Sequence, residues 1–110
     1  MEVKQIVRSL AALAQAHRLK VFRLLVVAGQ QGLTPGAIGE ALELPAATLS
    51  FHLKELSNAG LVTQERISRN VVYRASFDHM NELLAYLTEN CCKGEACLST
   101  PSTPSTACAC

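Results

Sequence analysis

Five cysteines lie in the last 20 residues of this 110-residue chain: Cys91, Cys92, Cys97, Cys108 and Cys110. Thiolates are soft ligands for metal ions and are readily oxidised. A disulfide framework would spread its cysteines through the fold. Here the thiols follow the part of the chain that builds a core, and in a reducing compartment that placement favours metal binding or redox sensing. Neighbouring residues on a helix point about 100° apart. The spacing therefore predicts a helix that ends at Cys92 and a loop through Lys93, Gly94 and Glu95. Gly94 lends the loop backbone freedom, and Cys97 folds back so that three thiolates surround one soft ion. Cys108 and Cys110 stand apart from that triad. They are accessory thiols that capture a ligand, a source of a fourth ligand for zinc or cadmium, or bare thiols of a flexible tail.

A second set of chemistry-bearing residues is basic. The net charge is only +1, but it is unevenly spread. Residues 1–25 hold Lys4, Arg8, Arg18, Lys20 and Arg23 against Glu2. Residues 46–76 hold Lys54, Arg66, Arg69 and Arg74 against Glu55 and Glu65, and residues 77–110 are acidic. A basic front points to an anionic partner.

The elements that must position these groups follow from periodicity. Apolar residues recur at helical spacing over 2–14 and over 16–28. The second segment is apolar on most faces, through Leu19, Val21, Phe22, Leu24, Leu25 and Val26, and is expected to be the central core helix. Thr34-Pro35 opens a short helix over 35–42 by a hydroxyl cap and a first-turn proline. After a four-residue break, Pro45 opens another helix that runs to about 58 and stops at Gly60. Two helices so joined make a helix-turn-helix. Strands are expected over 61–66 and 71–76, close enough in sequence for a hairpin. Asp78 is expected to cap a last helix over 79–92. The fold class is mainly α with a small β-hairpin, a winged helix-turn-helix. Residues 1–92 are expected to form the DNA-binding domain, and 93–110 a flexible, uncharged-ended tail rich in Ser, Thr and Pro.

On the 45–58 helix, Leu49, Leu53 and Leu56 share one face and are expected to pack inward. The candidate DNA-binding residues are Ala47, Thr48, Ser50, Phe51, His52 and Lys54 on that helix, with Arg66, Arg69 and Asn70 on or beside the wing. Ser50 suits base edges or phosphate, Phe51 a thymine methyl group and Lys54 phosphate. A helical hairpin with surface charges also occurs in proteins that never meet DNA, and a lone histidine such as His52 is more often a packing residue than a ligand.

Three stretches together carry a resemblance: AHRLKVFRLL at 16–25, TLSFHLKELSNAGLV at 48–62 and RNVVYRA at 69–75. The chain resembles the ArsR/SmtB family of metalloregulatory repressors over about residues 5–90. That resemblance implies a homodimeric winged helix whose first and last helices form the interface. It implies binding to a palindromic operator through the major groove, and release by an inducer. Inducer sites differ among members. A Cys-x-Cys pair on the helix before the turn is absent, because residues 35–42 hold no cysteine. A zinc pattern on the last helix is met by Asp78, His79, Glu82 and Glu89 but lacks its spaced pair of histidines. Cys91, Cys92 and Cys97 look like the branch that senses As(III) or Sb(III), ions that form three-coordinate pyramidal thiolate complexes. In that branch the spacing to the third cysteine matches only approximately.

Two alternatives stay open at this stage: the same scaffold sensing cadmium, zinc or lead, and a thiol redox-switch repressor. An enzyme is not expected. The chain has no Cys-x-x-Cys, no cysteine–histidine pair with an orienting group and no nucleotide loop. No organic cofactor is implied. Without an apolar run of about 18 residues or a signal-peptide pattern, a cytoplasmic protein with no membrane partner is expected.

Overall fold

The computed structural model describes residues 1–91. Cys92, Cys97, Cys108 and Cys110, and the expected tail over 93–110, lie outside the described residues. The elements are α1 (Val3–Leu13), α2 (Ala16–Ala28), a 3-10 turn (Gly29–Gln31), α3 (Pro35–Leu42), α4 (Ala46–Asn58), β1 (Val62–Ile67), β2 (Asn70–Ala75) and α5 (Phe77–Leu87). This is the winged helix-turn-helix that the periodicity predicts. No helix among the described residues is long and apolar enough to cross a membrane.

Local chemistry sets each boundary. Glu2 and Gln5 close a reciprocal capping box on α1. Thr34 accepts from the Ala37 amide at the start of α3, as its position before Pro35 predicts. Between α3 and α4, Glu43 turns the chain in the left-handed region at φ +55°. The end of α4 is a Schellman arrangement. The amide of Gly60 donates to the Ser57 carbonyl and that of Leu61 to the Leu56 carbonyl, with Gly60 at φ +81°.

The core fills the space between α2, α3, α4 and the base of the hairpin. Val21, Leu25, Ile38, Leu56 and Leu61 are completely buried, and Leu49 and Leu53 nearly so. Truncating any one of these leucines to alanine would cost about 2–5 kcal/mol, in lost burial and in the cavity left behind.

Four sequence expectations are corrected. The strands are each displaced by one residue, so that Ile67 pairs with Asn70 and the wing turns through Ser68 and Arg69. Ser68 supplies the positive φ, +56°, that a two-residue hairpin turn requires at its first position. The last helix is capped by Ser76, whose Oγ accepts from the His79 amide, so Asp78 falls inside the first turn instead of capping it. It ends at Leu87, five residues short of Cys92. There the Thr88 hydroxyl donates to the Leu84 carbonyl and Asn90 turns left-handed. Finally, α2 is not buried all round: Leu19 is 43% and Val27 81% exposed.

A third strand stub escaped the sequence reading. Leu33 exchanges both backbone hydrogen bonds with Tyr73, at 3.0 and 2.8 Å, and so ties β2 to the segment after α2. Gly32 permits this approach. It sits at φ +68°, and a Cβ there would lie 2.6 Å from the Tyr73 carbonyl oxygen. Only glycine fits such a backbone pressed against a strand.

Candidate nucleic-acid interface

Helix α4 is two-faced because its leucines recur at i, i+4 and i+7. With Leu49, Leu53 and Leu56 turned inward, Ala47, Thr48, Ser50, Phe51 and Lys54 are left in water. Phe51 is 55% exposed, which is unusual for a ring that could have joined the core. The exposed face is thus small near the N-terminus of α4, hydroxylated in its middle and cationic further on. A surface of that kind fits a groove: short side chains allow close approach, hydroxyls reach base edges, and an ammonium meets phosphate. Arg66, Arg69 and Asn70 are exposed on the wing, as expected.

His52 does not belong to that set. It is only 6% exposed and lies on the inner side of α4, its ring 5.8 Å from those of both His17 and Phe51. Its Nδ1 is buried and has no hydrogen-bond partner among the described residues. Burial first, then the nearby Arg18 and His17, lowers its pKa below the ordinary imidazole value. Helical spacing placed it one position from Phe51 and could not separate an edge position from a buried one.

The two ends of the chain carry a different surface. On α1, Val3 and Val7 are each 58% exposed and Leu10 41%. On α5, Leu84 is 50% and Leu87 53% exposed. These stripes lie on the first and last helices, the two that the resemblance assigns to a dimer interface.

A polar joint connects α1 and α5 to the end of α4. Ser9 is fully buried on α1, and its hydroxyl donates to the Gln5 carbonyl at 2.9 Å. His79, in the first turn of α5, shares a hydrogen bond between its Nε2 and Ser9 Oγ at 2.7 Å. The same imidazole lies over Gly60, where a Cβ would come within 3.0 Å of the ring. The Ser76 amide also donates to the Leu61 carbonyl at 2.8 Å. No periodicity argument foresaw this joint, since Ser9 reads as an ordinary polar residue. Its one sequence signal is a small polar residue at i+3 from Ile6, within the buried stripe of α1.

Of the proposed thiol ligands, Cys91 alone falls among the described residues. It is half-buried just beyond α5, and its amide donates to the Thr88 carbonyl at 2.9 Å. Asp78, His79, Glu82 and Glu89 do not gather: no group of three or more His, Cys, Asp or Glu among the described residues is placed to hold a metal ion.

Known proteins share this arrangement. A family model described as a helix-turn-helix domain matches residues 13–65. The structure of reduced HlyU from Vibrio cholerae is 32% identical, covering 76% of this chain and 88% of that one with a TM-score of 0.61. The chain belongs to the helix-turn-helix regulators of the ArsR/HlyU type. A second solved structure of this type is the homodimeric winged helix-turn-helix DNA-binding domain of a possible ArsR-family regulator from Mycobacterium bovis. It is 26% identical, covers 84% of this chain and 86% of that one, and has a TM-score of 0.64. The HTH-type transcriptional regulator YceK of Bacillus subtilis is 38% identical over 58 residues. That match covers 53% of this chain and 57% of YceK, so it spans little more than half of the relative's length.

Proposed function

We propose that this protein is a homodimeric repressor of an arsenic-resistance operon, which binds a palindromic operator and is released when As(III) or Sb(III) is taken up by Cys91, Cys92 and Cys97. The observation that carries the DNA-binding half is the outward face of α4: Ala47, Thr48, Ser50, Phe51 and Lys54 in water beside a wing bearing Arg66, Arg69 and Asn70. Each protomer offers one such helix to the major groove, and a two-fold axis through α1 and α5 would present the pair to a palindrome. The homodimeric relative from Mycobacterium bovis supports that assembly.

Support for the inducer half comes from the cysteine spacing and from where α5 stops. Helix α5 ends at Leu87 and Asn90 turns the chain, so Cys91 stands just beyond the helix end. Three thiolates suit a trigonal soft ion, and each thiol must lose its proton to bind one, so uptake is expected to strengthen as pH rises. Cys91 stands at the far end of α5 from His79. An inducer there acts on DNA affinity only by favouring a dimer shape that fits the operator poorly, and couplings of that sort are typically about 1–3 kcal/mol. The His79–Ser9 joint over Gly60 offers the route from the interface helices to the end of α4.

The deciding experiment is a titration of protein–DNA complex against arsenite, antimonite, cadmium, zinc and peroxide, with each cysteine changed in turn to serine. The DNA is a duplex that the wild-type protein selects from a random pool. Serine at position 91, 92 or 97 is expected to abolish release by arsenite and leave DNA binding intact. Serine at 108 and 110 is expected to change little. Release that survives all three triad variants overturns the assignment. Release by zinc, cadmium or peroxide but not by arsenite transfers the protein to one of the other sensor classes.

A further inference from the structure

We infer that Arg74 is a positioning residue for the wing: it locks the hairpin onto the end of α2 and does not itself touch DNA. The inference rests on the DNA-binding reading above. From sequence, Arg74 is one of four cations in the basic middle segment and looks interchangeable with Arg66 and Arg69. Its guanidinium is committed elsewhere. Nε donates to the Gln30 carbonyl at 2.7 Å, and Nη1 donates to Glu65 Oε1 at 2.8 Å. Arg74 thus joins three pieces of chain: the 3-10 turn after α2, strand β1 and strand β2. Its side chain is 24% exposed, against 59% for that of Glu65.

The register explains why one residue can do this. Thr63 pairs with Arg74 and Glu65 with Val72, so Arg74 and Glu65 share one face of the hairpin and meet diagonally. Next to it, the Leu33–Tyr73 bridge and the close approach of Gly32 seat β2 on the same loop. The backbone bridge fixes the height of β2, and the guanidinium fixes the roll of the hairpin about that bridge. Glu65 is the single acid between Val62 and Ala75. Bound to Arg74, its charge is neutralised and held along the sheet face, away from phosphates that Arg66 and Arg69 are to meet. A planar guanidinium can hold a carbonyl and a carboxylate at once in fixed directions, which a lysine ammonium on a flexible stem does not reproduce.

The test compares Arg74→Lys and Arg74→Gln, each alone and in an Arg66→Ala/Arg69→Ala background, by equilibrium binding to a duplex selected by the wild-type protein. Both substitutions at position 74 are expected to weaken binding by about tenfold alone and by less than twofold in the double-alanine background, because the wing they misplace no longer carries its contacts. Arg74→Lys that binds like wild type, or losses that multiply fully in the double-alanine background, would show a direct phosphate contact and overturn the inference. Amide hydrogen exchange in the free protein supplies a readout independent of DNA. Exchange over residues 64–72 is expected to rise several-fold in Arg74→Lys and in the milder Glu65→Gln, with α2 and α4 unchanged. Unchanged wing exchange in both variants would overturn it even if DNA affinity fell. A wild-type protein that selects no duplex, yet shows the exchange result, would sink the DNA-binding reading and leave the clamp standing.

Discussion

Helices α1 and α4 are both amphipathic, both packed on the same core, and yet they leave opposite kinds of residue in water. On α4 the uncovered face is Ala47, Thr48, Ser50, Phe51 and Lys54. On α1 it is Val3, Val7 and Leu10, continued on α5 by Leu84 and Leu87. A folded monomer gains nothing by exposing valines and leucines on two helices, each of which would contribute about 1.5–3 kcal/mol if covered. It loses little by exposing alanine, serine and lysine. The contrast separates a face built to meet a second apolar surface from one built to meet a polar and charged one. A second copy of the chain suits the first, since an isologous interface only requires the patch to match itself.

The most damaging way to break that distinction is to put a charge on each face. Val7→Glu and Leu84→Glu are each expected to weaken self-association by about 100-fold, equivalent to roughly 2.7 kcal/mol, because a carboxylate cannot be desolvated there without a partner. Sedimentation equilibrium reads the shift to monomer. Phe51→Glu, an equally large change at a similarly exposed position, is expected to leave association unchanged while abolishing DNA binding. Dissociation by Phe51→Glu, or dimers that survive both α1 and α5 variants, would mean that the two faces have been assigned the wrong way round.

A smaller effect separates cations by location. If the α4 face and the wing meet phosphates, Lys54→Ala and Arg69→Ala should each lower the slope of log affinity against log salt by about 0.9. Lys20→Ala and Arg23→Ala remove equal charge from exposed positions on α2 and should leave the slope unchanged. Equal slopes for all four variants would reduce the basic character of the chain to a diffuse field with no footprint. Ser50→Ala is expected to alter the preferred sequence and not the slope, since a hydroxyl at a base edge releases no counterion.

The same contrast shows what could be read from the chain beforehand. The order of elements and the inward leucines of α4 were legible because periodic patterns and turn residues mark them along the chain. Contacts made across elements were not. Arg74 looked like a surface cation because its carbonyl partner, Gln30, lies 44 residues away. Ser9 and His79 meet across 70 residues. The Leu33 stub is a single bridge, too short to show alternation. The last helix was drawn too long because nothing before Gly94 is a strong breaker. At the stop the Leu84 carbonyl accepts from both the amide and the hydroxyl of Thr88, and Asn90 then takes a left-handed φ, local features that apolar periodicity does not report.

His52 gives the finest test, because it sits on the same helix as the water-facing residues but belongs to the inner side. The imidazole is 6% exposed, and burial, with Arg18 and His17 adding to it, lowers its pKa in the folded chain from the ordinary value of 6.5. The sign follows from which state binds the proton. As pH falls below about 6.5, the unfolded chain protonates this ring while the folded chain holds it neutral. Stability that is fully present above that value is therefore lost as pH drops toward the folded pKa, with a slope of at most about 1.4 kcal/mol per pH unit for one group. Thermal unfolding of wild type and His52→Leu between pH 7.5 and 5.5 reads the effect of this ring. Wild type is expected to lose more stability over that range than the leucine variant. Parallel pH profiles would mean that His52 protonates freely in the fold, which a ring on the groove-facing side would do, and would return it to the outward face of α4.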